Sequence, residues 1–319
     1  MQRTGFVHQI AISDRGAPEL SGYLHGAVES VRRAFPHREH RIWCHDEGAR
    51  FIHDHFGPTV VWAFDTLRPY AYKADLLKYC LLYQCGGWVI DLGVTMLEPP
   101  EPLIGESREP DFVLFRPTWG WWAPWDVSLA CLYARPGSPV FRRAIREVVR
   151  NCARHHYGAT PICPTLTALG RALAIEDVQN GHLRRRPPLR ARRTRMVTGI
   201  AADMEGRPYS RAYELRRHRF VAIRKPKEFS GGQLEGLGLA GTNNYREMWR
   251  ERTVYADIRP PNPFLVPTWA KSVVRQKVDR AYRRMRAPLK RVHQTAAPTP
   301  LPMSTSETTT SRGDRPEGA

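Results

Sequence analysis

The sequence predicts an α/β fold, and three observations carry that expectation. Short apolar runs alternate with segments of helical periodicity; the helical segments end at proline or glycine; and one apolar run, residues 88–90, finishes on a carboxylate, Asp91. Sheets of this class take ligands beyond the carboxyl ends of their strands, which makes Asp91 a candidate site residue.

Taken in order, residues 5–12 (GFVHQIAI) read as a buried first strand and 17–35 as a helix ended by Pro36. A second strand follows at 41–44, and 60–64 (VVWAF) is a third apolar run. Residues 70–84 place Ala74, Leu77, Leu81 and Cys85 at helical spacing and stop at Gly86 and Gly87. Strands are expected at 88–91 and 111–115, a helix from Ser138 onward, and another over 165–174. Between 184 and 227 there are 15 Lys+Arg against 3 Asp+Glu, with apolar islands at 196–200 and 220–223. These predict irregular strands with solvated basic edges. Residues 266–287 put Trp269, Val273, Val274, Val278, Ala281, Tyr282 and Met285 on one face of a basic amphipathic helix. The segment after Pro298 lacks the apolar content to offset ordering entropy and is expected to be disordered. The expected division is therefore a main domain over 1–262, the basic helix over 263–293 and a tail over 294–319.

Composition narrows the class of protein. Of 319 residues, 42% are hydrophobic and 25% charged, a globular balance, and no apolar run approaches the roughly 18 residues of a membrane span. The opening residues do not read as a secretory signal, and six cysteines without a CxxC pair fit reduced thiols. A cytoplasmic protein is expected. The net charge of +18 suggests a nucleic-acid binder until it is mapped: the balance is −3 over 1–110, +3 over 111–180 and +18 over 181–319. No helix-turn-helix, zinc-finger or RNP signature accompanies it, so a nucleic-acid partner is not expected. His37, His40, His45, His53 and His55 with Cys44 lack the spacing of a structural zinc site and are expected on exposed turns.

Chemistry concentrates in residues 70–95, YAYKADLLKYCLLYQCGGWVIDLGVT. Asp75 and Lys78 stand at i and i+3 and share a helix face. The paired glycines permit a left-handed turn. Asp91 then emerges at a strand end. Ala74, Asp75, Lys78, Tyr79, Leu82, Gly86, Gly87 and Asp91 together resemble the glycosyltransferases with a sugar-binding region containing a DXD motif, a group that includes mannosyltransferases, clostridial toxin catalytic domains and capsular polysaccharide enzymes. His8 and Gln9 lie in a segment similar to the group's first strand, and 241–249 (GTNNYREMW) falls where members carry a loop that closes over the nucleotide.

The resemblance implies a GT-A fold, a Rossmann-like nucleotide-sugar-binding sheet flanked by helices. It also implies transfer of a hexose from a nucleoside-diphosphate sugar to a hydroxyl of a surface glycan, with retention. Asp75 would hold donor hydroxyls, Lys78 the diphosphate, and Asp91 ribose or a metal; His8, Gln9, Gly86 and Gly87 would complete the donor site. The implied cofactor is Mn2+ or Mg2+. Gly93 replaces the second Asp of the motif, which leaves Asn243, Asn244 or Glu98 to supply the missing oxygen. Ala11 stands where many relatives have Trp, leaving Trp43 or Trp62 to stack on the base. Trp122, Trp125 and Asp126 are candidates for the acceptor, a glycan or lipid-linked glycan, and 160–165 (TPICPT) falls where relatives have a site-lining turn. The basic helix, residues 266–291, is a candidate for an anionic membrane surface, giving a peripheral station at the inner face of the plasma membrane. Two other classes stay open: a catalytically silent relative that binds nucleotide-sugar or glycan, and a nucleic-acid or membrane-surface binder driven by the basic half.

Overall fold

The computed structural model describes residues 5–13, 20, 22–104, 110–118, 126–179, 195–204, 207, 209–216, 218–225 and 244–294. By its internal contacts the chain divides into two units, Met1–Arg280 and Ala281–Ala319.

The first half follows the expected alternation. β1 (Phe6–Ile10), α1 (Gly22–Ala34), β2 (Glu39–Trp43), α2 (His45–His55), α3 (Pro58–Thr66), α4 (Tyr70–Gln84) and β3 (Gly87–Ile90) come in that order. β4 (Val94–Met96), α5 (Glu101–Ile104), β5 (Phe112–Pro117), β6 (Cys131–Ala134), α6 (Pro139–Ala153) and α7 (Leu166–Gln179) follow. The second half supplies β7 (Met196–Asp203), β8 (Arg211–Glu214), β9 (Phe220–Arg224), α8 (Tyr245–Arg250) and α9 (Val266–Gln294). Local chemistry sets several boundaries. The Ser138 hydroxyl accepts from the Val140 amide to start α6, and the Glu47 carboxylate accepts from the Cys44 amide to start α2.

Three readings change. Residues 60–64, an apolar run that alone is consistent with a strand, are helical: Pro58 opens the turn, and burial of Trp62, Ala63 and Phe64 outweighs the β-propensity of the valines. The histidines at 45, 53 and 55 sit on α2 and His40 on β2, so they are not on turns. Within the basic region, the described residues 195–204, 209–216 and 218–225 form paired strands that contribute to the core. β7, β8 and β9 pair antiparallel in sequence and bury Val197, Ala201, Ala212, Tyr213, Val221 and Ala222.

The described strands form one mixed sheet in the order β2-β1-β3-β6-β5-β7-β8-β9-β4. β3 and β4 are neighbours in sequence, yet six strand positions separate them. Six steps of about 4.8 Å would set them roughly 29 Å apart in a flat sheet, whereas the chain from Ile90 to Val94 reaches at most about 14 Å. The sheet must therefore curl, and the Asp91–Leu92–Gly93 turn bridges the two ends of the arc.

Both faces of the sheet are covered. Val89 joins a core with α2, α3, α4, α6 and α7, while Trp88 and Ile90 face a second core beneath α1. α4 lies deepest: Leu76, Leu77, Leu81 and Leu82 are fully buried on different sides, each worth about 1.5–3 kcal/mol. The single stripe expected for it is thus too narrow, because α4 is enclosed between the sheet and α6. α9 also departs from its expected single face. Val273 and Gln276 pack inward, with Gln276 accepting from the Tyr157 hydroxyl (3.0 Å), whereas Val274 and Val278 remain 63% and 62% exposed. None of the six cysteines is bridged. Among the described residues no helix is long and apolar enough to cross a membrane. The tail over 295–319 lies outside the described residues.

Candidate active site

α4 and the tip of β3 bring Asp75, Lys78 and Asp91 together. The Lys78 ammonium lies 2.6 Å from Asp91 Oδ1 and 3.3 Å from Asp75 Oδ1, so one cation ties the helix to the strand end. Asp75 Oδ2 accepts a hydrogen bond from the Thr165 hydroxyl at 2.7 Å, and the Thr165 carbonyl accepts from Tyr79 at 3.0 Å. Residues 160–165 thus reach the site through Thr165. Burial pushes the Asp75 carboxyl above its ordinary value against the pull of Lys78. Burial would raise Asp91 too, but Lys78 and then Arg224 outweigh it and hold that carboxyl low. For Lys78 burial acts downward, and the two carboxylates outweigh it upward.

Sequence reasoning missed the cations that β9 delivers. β9 pairs antiparallel with β4, setting Arg224 opposite Val94, and the next residue, Lys225, donates its amide to the Gly93 carbonyl at 2.6 Å. The Arg224 guanidinium stands 3.8 Å from Asp91 Oδ2. Burial, then Arg224, push Lys225 down to about 8, with Asp91 opposing. Burial, then Arg224, likewise push Arg211 down to about 10. The available signal was the island at 220–223 followed directly by two basic residues.

The other donor-site candidates serve the scaffold. The His8 ring is sealed from solvent; its Nε2 donates to the Gly86 carbonyl (3.1 Å) and its Nδ1 accepts from the Trp43 indole (3.2 Å). That removes His8 from direct ligand contact. Gln9 is fully buried, donates to the Asp91 carbonyl at 3.4 Å and accepts from His40 at 2.8 Å, which makes it a positioning residue for Asp91. Gly86 and Gly87 adopt φ of 67° and 96°, and a Cβ on Gly87 would lie 2.4 Å from the Phe6 carbonyl oxygen. Their closeness is to β1 and to Pro136, where a ligand was expected. Trp43 and Trp62 are buried, the latter donating to the Ile258 carbonyl, so neither stacks on a base.

Asp126 is 3% exposed, and neither of its carboxyl oxygens has a hydrogen-bond partner among the described residues. Burial raises its carboxyl above the ordinary range. Trp122, Trp125 and Asn243 lie outside the described residues. The Asn244 side-chain Oδ1 caps α8, accepting from the Arg246 and Glu247 amides, and the Glu98 carboxylate is engaged by Arg219. Both oxygens are thereby already engaged.

Residues 21–109, which contain α4, the glycine turn and Asp91, match the family described as "Glycosyltransferase sugar-binding region containing DXD motif". Over those residues, fewer than a third of its length, the chain is similar to a glycosyltransferase sugar-binding region. No curated protein matches the chain. Among solved structures, "PaToxG Glycosyltransferase" is similar over 54% of this chain and 68% of its own, at 12% identity and a TM-score of 0.39. The curled mixed sheet flanked by helices is GT-A-like, as the resemblance implied.

In this glycosyltransferase group the two carboxylates of the motif typically hold a divalent cation. The described residues do not fit that role. Asp91 is already paired with Lys78 and Arg224, Asp75 with Lys78 and Thr165, and Gly93 offers no side-chain oxygen. Among the described residues no group of three His, Cys, Asp or Glu side chains is placed to hold a metal ion.

Proposed function

We propose that this glycosyltransferase moves a hexose from a nucleoside-diphosphate sugar to a hydroxyl of a surface glycan, such as capsule or lipopolysaccharide, with retention of configuration. One observation carries the reading: within the sugar-binding region, Asp75 and Asp91 converge on a single ammonium at the carboxyl end of β3. Asp91, the more exposed at 27% of its side chain, accepts from ribose or sugar hydroxyls, and Asp75 orients the hexose. In the transfer the anomeric C–O bond to the diphosphate breaks and its electron pair leaves with the phosphate. The acceptor oxygen forms the new bond and its proton passes to a phosphate oxygen. The protein contributes orientation and charge stabilisation.

Asp126 is the candidate on the acceptor side, because its buried carboxyl has no hydrogen-bond partner among the described residues and would gain from a hydroxyl donor. The outward Val274 and Val278 stripe, with exposed Lys271, Arg275 and Lys277, supports a station on anionic lipid at the inner face of the membrane, where a lipid-linked acceptor would lie. The reading is tested by melting the protein with UDP-, GDP- and TDP-sugars. A donor at 100 times its Kd stabilises by about 2.7 kcal/mol. A clear upward shift with one base is expected, and no shift with any of the three contradicts the reading.

A further inference from the structure

The second carboxylate of a D-x-D pattern would stand at position 93, and that space is taken. A Cβ built on Gly93 would lie 3.0 Å from Cδ, 3.1 Å from Cβ and 3.3 Å from Cγ of Lys225. The contact is set by main chain, since the Lys225 amide bonds the Gly93 carbonyl as a continuation of the β4–β9 ladder. The aliphatic stem of a cationic side chain therefore crowds the place where the motif would put an anionic one.

We infer that Lys225, seated at the vacated second-Asp position, acts with Arg224 as the counter-charge for the donor's diphosphate, so that the site takes a nucleoside-diphosphate sugar without a divalent cation. This rests on the nucleotide-sugar reading above.

Charge and geometry carry it. Lys78 is buried and commits its N–H groups to two carboxylates, so it is poorly placed to meet phosphate. Arg224, with 29% of its side chain exposed, and Lys225 stand beyond it on the side of the Asp91 turn. Asp75 and Asp91 against Lys78, Arg224 and Lys225 leave the cluster with one net positive charge, which attracts a diphosphate and repels a dication. A metal ion would have to displace both Lys78 and Arg224 from Asp91 while sitting beside Lys225. Arg224 offers a planar fork for two phosphate oxygens and Lys225 a compact charge on a flexible stem.

Calorimetric titration of the full chain with UDP, GDP and TDP, each in EDTA and in Mn2+, tests it. The base that binds is expected to do so with the same Kd, within about twofold, in both solutions. Lys225→Ala and Arg224→Ala should each weaken it about tenfold or more, leave affinity for the corresponding nucleoside unchanged, and Lys225→Arg should retain tight binding. The free Mn2+ resonance signal should fall no further when protein is added to Mn2+ and nucleotide than nucleotide alone lowers it. Tenfold tighter binding in Mn2+, a further fall of that signal on adding protein, or full affinity in Lys225→Ala overturns the inference. Failure of all three diphosphates in both solutions overturns the nucleotide-sugar reading itself.

Discussion

Lys78 places an ammonium between carboxylates that come from different elements, and its near-complete burial makes the arrangement costly to disturb. Removing one member of a buried ion pair leaves an uncompensated charge and typically costs about 3–5 kcal/mol. Lys78→Met is therefore expected to lower the unfolding free energy, read from urea denaturation, by that order, whereas a loss under about 1 kcal/mol would show that the pair is solvated. Thr165→Val removes the hydroxyl that satisfies Asp75 Oδ2 and should cost about 1–3 kcal/mol, with weaker donor binding read by the same titration. Asp75, Lys78 and Asp91 were legible because their relations are local: a helical i, i+3 pair, a glycine stop and a strand end. Arg224 and Lys225 were not, since they reach Asp91 only through β4–β9 pairing across the curled sheet, which no local pattern encodes.

The glycine turn is the element on which the site hangs. It ends α4, starts β3 and lets β1 approach so closely that Phe6 occupies the space of a Gly87 side chain. Gly87→Ala combines a left-handed φ with a clash against backbone, and is expected to cost more than about 2 kcal/mol. Gly137 also has positive φ but nothing within 4 Å of a Cβ, so Gly137→Ala should cost only about 1 kcal/mol. Equal urea midpoints for the two variants would contradict the packing account. For α9, Val274→Ser with Val278→Ser should leave the melting temperature nearly unchanged while reducing sedimentation with anionic vesicles; unchanged sedimentation would sink the membrane station. Periodicity identified α9 as amphipathic but could not say which apolar residues are covered, because Val273 and Val274 are adjacent and only packing separates them. Similarly, the valines of α3 carry a strand propensity that burial overrides.

At the scale of the molecule, the alternating first half announced an α/β sheet, while the order of its strands stayed hidden because β3–β6, β5–β7 and β4–β9 join strands that are not consecutive in sequence. Burial also gives the whole protein a pH dependence. His8, His40 and His155 are each pushed down to about 4, chiefly by burial. Unfolded histidine titrates near pH 6.5, so the unfolded chain takes up protons that the folded one refuses. Stability should be full above about pH 6.5 and fall as pH is lowered from there towards about 4. A urea midpoint that stays flat across that window would show these rings to be accessible.

The central claim is that the helix carboxylate and the strand-tip carboxylate serve one activated-sugar pocket. It is tested most directly by release of free nucleoside diphosphate from a panel of UDP-, GDP- and TDP-sugars, comparing the unaltered protein with Asp75→Asn and Asp91→Asn. The account predicts release from one donor that falls by about a hundredfold or more in each variant. Equal release by all three proteins would contradict it.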